Sequence, residues 1–312
     1  MKIFSLMERN SNLHLKRTCA AIGVFDGVHR GHQLLLKQML ARARRLKAQP
    51  IVITFFPHPA HVLKPDSKLG YITSLADRFR LLSKLGVAAC VVVRFNRSFA
   101  GIQPEKFIKD ILNKEFGVKA IFVGENFRFG KDRSGDIALF QKLASEYGYE
   151  MHPVSSLKQG RAVISSTRIR KAIAEGKLNE AKLLLGRPVF TSGVVVKGSR
   201  RGNKLGYPTA NVDYESSVLP PQGVYAVKVL IGTKTYSAVA NLGMRPTFDK
   251  QNSKLLLEVY VLDFSKNIYG QRMQVEFLKK IRNEKKFPNP QKLIQQIQKD
   301  EASARRYFVQ TC

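Results

Sequence analysis

From Thr18 to about Leu185, short unbroken apolar runs alternate with longer stretches whose apolar residues recur every three or four positions. Thr18–Phe25, Ile51–Phe55, Ala88–Val93 and Ala120–Gly124 are continuous enough to predict strands buried on both faces, and Met151–Val154 is a weaker candidate. Between them, Gln33–Ala48, Ser74–Leu85, Pro104–Phe116 and Asp136–Tyr147 carry helical spacing. Ser74 followed by Asp77, and Pro104 in a first turn, are start signals, while Gly86, Gly117 and Gly148 are stops. This alternation predicts an α/β domain with a parallel sheet covered on both faces, and ligands bound at the carboxyl ends of its strands.

A segment Ile164-Ser-Ser-Thr-Arg-Ile-Arg170 runs into another short helix, Gly176 stops it, and Leu178–Leu185 gives one more. After Gly186-Arg-Pro188 the period changes. Val189–Val196, Val224–Ile231, Thr235–Leu242, Leu255–Leu262 and Met273–Leu278 read as strands with no helix between them, several alternating apolar with polar. That pattern predicts an antiparallel barrel of about six strands, interrupted by loops at Gly198–Asn211 and Asn241–Phe248 and followed by an amphipathic helix over Pro290–Phe308. The boundary is expected at Gly186-Arg-Pro188, giving domains over 1–186 and 187–312.

A chain of 312 residues, 44% hydrophobic, suits two such cores. No apolar run reaches membrane-spanning length. Cys19, Cys90 and Cys312 are odd in number, and the first two lie in strand-like runs, which predicts buried free thiols and a reducing, cytoplasmic setting. The net charge of +30, from 53 Lys+Arg against 23 Asp+Glu, implies affinity for polyanions, nucleotides or non-specific nucleic acid among them. It is spread over both halves rather than gathered in a basic tail.

The densest candidate chemistry is Gly23-Val-Phe-Asp-Gly-Val-His-Arg-Gly-His32, lying between a predicted strand and a predicted helix. Such a turn presents backbone N–H groups at a helix N-terminus, a natural anion site. Gly23, Gly27 and Gly31 permit left-handed backbone or close approach of a phosphate. His29 and His32 are spaced to share one face and to donate to phosphate oxygens. Ser165, Ser166 and Thr167 are helix-capping types, and with Arg168 or Arg170 they would make a second phosphate cradle. The predicted strands that lead into Phe55-Phe-Pro-His-Pro59, which holds His58, and into Gly124-Glu-Asn-Phe-Arg-Phe-Gly130 should bring their loops to the same edge.

The His-x-Gly-His turn and the Ile-Ser-Ser-Thr-x-Ile-Arg segment resemble the nucleotidyltransferase superfamily. With Val123–Gly130, Leu185–Pro188, Gly206-Tyr-Pro-Thr-Ala-Asn211, Gly223-Val-Tyr225 and Arg245-Pro-Thr-Phe248, the chain resembles the prokaryotic bifunctional riboflavin kinase/FAD synthetase family from about residue 18 to about residue 305. The resemblance implies a Rossmann-like nucleotidyltransferase domain followed by a six-stranded riboflavin kinase barrel with a terminal helix. It implies two Mg²⁺-dependent reactions with ATP: riboflavin to FMN, and FMN to FAD with release of pyrophosphate.

By the same resemblance Gly23, Phe25, Asp26, Gly27, His29, His32, Ser165, Ser166, Thr167 and Arg170 bind the ATP of the adenylyltransferase. Asn126, Pro57 and His58 handle the flavin. Gly198, Gly202, Gly206, Thr209 and Asn211 form the kinase's ATP and Mg²⁺ loop, with Thr209, and Asn211 beside it, as metal ligands, and Glu258 is the kinase base. Three positions depart from the family's usual residues: Phe56 replaces an acidic residue, Asn203 an arginine and Tyr260 a histidine. These bear on substrate affinity, more in the kinase than in the adenylyltransferase. Competing readings are a single-activity enzyme with an impaired kinase, a basic RNA-binding protein, and a class I aminoacyl-tRNA synthetase fragment. The last lacks a Lys-Met-Ser-Lys-Ser-like segment.

Overall fold

The computed structural model describes residues 1–6, 15–67, 69–198, 206–215, 218–244 and 255–311. Gly202, Asn203, Cys312 and the Arg245–Phe248 motif lie outside them. The chain divides into two compact units, Met1–Leu69 with Leu75–Ser166, and Gly70–Ser74 with Thr167–Cys312.

The first unit runs β1 (Lys2–Leu6), β2 (Thr18–Ile22), α1 (Arg30–Arg45), β3 (Gln49–Phe56), α2 (Pro59–Leu63), α3 (Leu75–Lys84), β4 (Ala89–Arg94), α4 (Arg97–Ala100) and α5 (Pro104–Lys106). α5 widens into a π-helical stretch, Phe107–Glu115, and is followed by β5 (Val118–Gly124), α6 (Ile137–Tyr147), β6 (Glu150–Val154) and the small hairpin β7 (Lys158–Gln159) and β8 (Ala162–Val163). The sheet order is β1-β4-β3-β2-β5-β6, with every pairing parallel. The parallel α/β expectation is borne out. β1 is an addition: a five-residue edge strand, mostly exposed, is too short and too mixed to stand out in the sequence.

Strand alternation sorts the core onto two faces. Ala20, Ile22, Ile51 and Ile53 face Phe107, Leu112, Phe116 and Phe140 on one side. Cys19, Ala21, Val52 and Cys90 face Leu35, Leu36 and Met39 of α1 and Leu82 of α3 on the other. The chain builds outward from β2 through β3 and β4, then returns to lay β5 on the opposite side of β2. That reversal between β2 and β5 is the switch point at which open α/β sheets bind ligands.

The second unit holds α7, which begins at Ser166 and ends at Ala174, α8 (Leu178–Leu185) and β9 (Val189–Val196). β10 (Ala210–Tyr214), β11 (Gly223–Ile231), β12 (Lys234–Met244), β13 (Leu255–Val261), β14 (Arg272–Arg282) and α9 (Pro290–Thr311) complete it. The six strands close into an antiparallel barrel in the order β10-β13-β12-β11-β14-β9. Alternation again divides residues: Val227, Val259 and Phe277 are fully buried, while Ala226, Val239, Tyr260 and Leu278 pack with Ala304 and Phe308 of α9. Two expected loops are corrected here. Ala210–Tyr214 is the sixth strand, and Asn241–Met244 continues β12, because both pair in register with neighbours that the sequence alone does not identify. The units also divide earlier than the change of periodicity at Gly186–Pro188, since α8 packs on β9 and β14. A helical pattern cannot say which core its apolar face joins.

Candidate functional site

Two constellations emerge, one in each unit. In the first, β2 ends at Ile22 rather than at Phe25: the Gly23 N–H bonds the Ile53 carbonyl and the chain then turns sharply. Phe25 (φ 53°), Gly27 (φ 79°) and Val28 (φ 41°) all adopt positive φ, which is costly for an aromatic and a β-branched residue. The turn is held from three sides. Thr54 Oγ1 and Arg78 Nη1 each donate to the Val24 carbonyl at 2.9 Å, and Ser166 Oγ donates to the Asp26 carbonyl at 3.1 Å.

His29 caps α1, its Nδ1 accepting the His32 N–H at 3.3 Å. This leaves the His29 proton on Nε2, its one donor. The two rings stack at 3.6 Å between centroids, and a side chain on Gly31 would press against His29 at 3.2 Å. Burial, His29 and Arg78, in that order, hold His32 well below the ordinary histidine range, so its ring is neutral at pH 7. His32 Nδ1 is buried with no hydrogen-bond partner among the described residues, a polar atom that a bound group can satisfy. The predicted pair therefore forms, with His32 as a neutral imidazole, and one of the helix N–H groups counted on for anions is already used by the cap.

The β3 and β5 loops flank this turn, because both strands are neighbours of β2. After β3, the Phe56–Pro57 peptide is cis and His58 caps α2, its Nδ1 accepting the Ala60 N–H at 3.0 Å. After β5, Asn126 is exposed, beside Glu125, whose carboxylate is held below its ordinary range by hydrogen bonds from the Ser156 side chain and from the Ser156 N–H, the latter at 3.0 Å. Thr167 and Arg170 belong to the second unit, where Arg170 Nε donates to the Gly70 carbonyl at 2.8 Å.

In the barrel, register does the assembling. Glu258 on β13 stands opposite Asn211 on β10 and opposite Asn241 on β12, so an amide flanks the carboxylate on either side. All three line a cavity of about 740 Å³, together with Thr209, Tyr207 and Tyr260. A smaller cavity of about 220 Å³, bounded by Pro208, Thr209, Lys266 and Tyr269, shares Thr209 with the first. Gly198 leaves room for Asn211, because a Cβ there would lie 2.1 Å from Asn211 Nδ2 and would push that side chain aside. Gly206 adopts φ 84° at the start of the Tyr-Pro-Thr segment. The outer wall is α9, fixed by Asp300, which accepts from Arg282 Nε at 3.0 Å and Nη2 at 2.8 Å. Tyr207 and Tyr260 meet edge to face at 5.3 Å.

Residues 11–168 match the model of the FAD synthetase family, and residues 185–308 that of riboflavin kinase. The bifunctional riboflavin kinase/FMN adenylyltransferase of Escherichia coli K12 is 42% identical over 288 residues, covering 92% of this chain and 91% of that protein. The enzyme of the same name from Haemophilus influenzae is 38% identical over 96% of this chain and 97% of its own length. The chain belongs to the bifunctional riboflavin kinase/FMN adenylyltransferase family. It is a transferase with both activities, and neither the RNA-binding nor the single-activity reading is favoured. The fold also matches a crystal structure titled as a macrolide-efflux protein from Streptococcus pneumoniae, with TM-score 0.85, 32% identity, and coverage of 98% of this chain and 99% of that one. No described helix is long and apolar enough to cross a membrane.

Sequence reasoning passed over Arg78, Asn241, Arg282 and Asp300. Asn241 carries no local signal, since cross-strand register alone brings it to Glu258. Arg78 carried none either: in an amphipathic stretch its charge reads as one more polar position, and only the packed structure shows it buried.

Proposed function

We propose that the turn Gly23–His32 is the adenylyl-transfer site and that the cavity around Glu258 is the riboflavin phosphorylation site. We assign the first reaction to residues 1–186 and the second to residues 187–312. The family-model bounds of 11–168 and 185–308 support that division.

In the first reaction an oxygen of the FMN phosphate attacks the α-phosphorus of ATP and the bond to pyrophosphate breaks. The nucleophile is already an anion, so no protein base is needed; alignment and charge stabilisation are. His29 Nε2–H donates to the phosphate chain, and the buried neutral His32 adds a second polar contact without repelling its neighbour. Gly23, Phe25, Asp26 and Gly27 shape the phosphate-facing backbone, with Ser165, Ser166, Thr167 and Arg170 as further ATP ligands. Asn126, Pro57 and His58 border the flavin, since their loops flank β2.

In the second reaction the riboflavin 5′-hydroxyl must lose a proton as it attacks the γ-phosphorus. Glu258 accepts that proton, and the flanking amides Asn211 and Asn241 orient its carboxylate. The observation that carries this reading is the pair of cavities meeting at Thr209. The larger has the volume of a flavin pocket and the smaller adjoins it at Thr209, where the reacting hydroxyl and phosphate would meet. The hydroxyl of Thr209 and the amide oxygen of Asn211 are hard donors that fit Mg²⁺, and these residues would hold it. Bound there, Mg²⁺ would supply charge neutralisation on the phosphates. Buried Cys19 and Cys90 are consistent with a cytoplasmic setting.

The test is a cross of two variants and two assays. His29→Ala should abolish FAD formation from FMN and leave FMN formation from riboflavin; Glu258→Ala should do the reverse. If either variant affects both reactions equally, or neither, the assignment of sites fails.

A further inference from the structure

Among the described residues, Arg78 is the largest side chain with less than 2% of its surface exposed. A wholly buried guanidinium is expensive unless its surroundings compensate it, so its position calls for a reason. It lies on α3, whose Leu82 is anchored in the core face shared with α1. Its Nη1 donates to the Val24 carbonyl at 2.9 Å, and its Nη2 stands 3.6 Å from Oδ1 of Asp26, itself 1% exposed. Both contacts fall on the strained turn. Val24 precedes Phe25 at φ 53°, and Asp26 precedes Gly27 at φ 79° and Val28 at φ 41°.

Positive φ is strained at Phe25 and Val28, and such strain persists only where the surroundings over-determine it. The Val24 carbonyl takes two donors, Thr54 Oγ1 and Arg78 Nη1, which use both of its lone pairs. Thr54 reaches one point of the turn, whereas the guanidinium reaches two, on either side of Phe25. Phe25 in turn packs on His32, with ring centroids 5.1 Å apart. Contacts therefore run unbroken from α3 through the turn to the histidine pair.

We infer that Arg78 is a positioning residue for adenylyl transfer: it clamps the strained Val24–Val28 turn, and through Asp26 and Phe25 it fixes where His29 and His32 meet the phosphates. This rests on the reading of Gly23–His32 as the adenylyl-transfer site. Being buried, Arg78 does not touch ATP itself. Its planar fork spans two points of the turn at once, which a lysine ammonium does only in part. The positive charge also helps keep His32 neutral.

The experiment uses the full-length protein with Arg78→Met, Arg78→Lys and His29→Ala. FAD formation from FMN is measured as kcat and as KM for ATP. Circular dichroism melts fix a temperature at which each variant is fully folded, and FMN formation from riboflavin serves as an internal activity control. A displacement of the reacting groups by about 1 Å costs on the order of 10²-fold in rate. Arg78→Met is therefore expected to lose about 10²-fold in kcat for FAD formation while folded, with kinase activity retained. Arg78→Lys should recover roughly half of that loss on a logarithmic scale.

Wild-type kcat and KM in both Arg78 variants, or a loss that only tracks the unfolded fraction, overturns the inference. If Arg78→Met unfolds at every temperature, Arg78→Lys decides, because a purely structural role predicts full activity once that variant is folded. A His29→Ala protein that makes FAD at the wild-type rate shows instead that the turn is not the reaction site, and both readings fall together.

Discussion

The two sites are built by different means. The proposed adenylyl-transfer site is a local object: ten consecutive residues supply the strained turn, the helix cap and both imidazoles, and the parallel sheet presents them at the edge between β2 and β5. The proposed kinase site is a register object. Asn211, Glu258 and Asn241 come from three strands, and nothing joins them except the pairing of β10, β13 and β12. A site of the first kind writes itself into the sequence as a motif. One of the second kind leaves single residues whose meaning appears only when the barrel closes. The first site is also vulnerable through its backbone and the second through its strand geometry, which sets different variants against each.

The widest separation should come from Glu258→Gln. It keeps the shape and the hydrogen bonds of the side chain but removes the base, and general-base catalysis typically contributes 10²–10⁴-fold. Single-turnover conversion of riboflavin to FMN should slow by about that factor, with riboflavin affinity little changed. FAD formation from supplied FMN should continue at its normal rate. A Glu258→Gln protein that phosphorylates riboflavin normally would refute the base assignment and leave the asparagine row as a binding feature only.

Next in size is Asp300→Asn. Arg282 and Asp300 are both largely buried, and their paired hydrogen bonds fix α9 as the outer wall of the larger cavity. Removing one partner of such a buried pair costs on the order of 3–5 kcal/mol. The melt of the barrel unit should move down by about ten degrees or more and riboflavin binding should weaken, while FAD formation from FMN is retained at temperatures where the barrel is still folded. An unchanged melting curve would mean that α9 is held by its apolar face alone, through Ala304 and Phe308.

Gly198→Ala should act more gently and only on the kinase. The new methyl group would meet Asn211 Nδ2, the end of a side chain that can rotate aside. Displacing that amide from its place beside Glu258 should lower kinase kcat by roughly tenfold, the cost of one neutral hydrogen bond. Alanine there with no kinetic effect would show that Asn211 is not needed in its observed orientation.

The same contrast explains what was legible in the sequence. The order of strands and helices in the first unit, the barrel and the terminal helix followed from periodicity, because each is a statement about local burial. The histidine turn followed from its glycines and spacing. β1 and β10 did not, since each is five residues long and owes its strand conformation to a partner distant in sequence, Ala89–Arg94 for β1 and β9 with β13 for β10. The Arg78 clamp was hidden for a related reason. Its charge looked like one more polar position on α3, and only the packed structure brings it against Val24 and Asp26.

The smallest predicted effect separates the units by pH rather than by chemistry. His32 has a folded pKa well below its ordinary value of about 6.5, held there by burial, by His29 and by Arg78. In the unfolded chain the ring titrates normally. As pH falls below about 6.5 the unfolded state therefore takes up a proton that the folded state refuses, and stability drops until the folded pKa is reached. Above about 6.5 the ring is neutral in both states and contributes no slope. His32→Gln removes this contribution, so the first unit's melt should depend less on pH between about 6.5 and 5 than in the wild type, with the two proteins running parallel above pH 7. The difference should be about a kilocalorie per mole for each unit of pH across that window, near the limit of a careful calorimetric series. The barrel unit contains no histidine, so its melt should not respond to the substitution at any pH. Identical pH slopes for the first unit in wild type and variant would mean that His32 ionises in the folded protein much as it does in the unfolded chain, and the picture of a neutral His32 stacked on His29 at the phosphate turn would have to be given up.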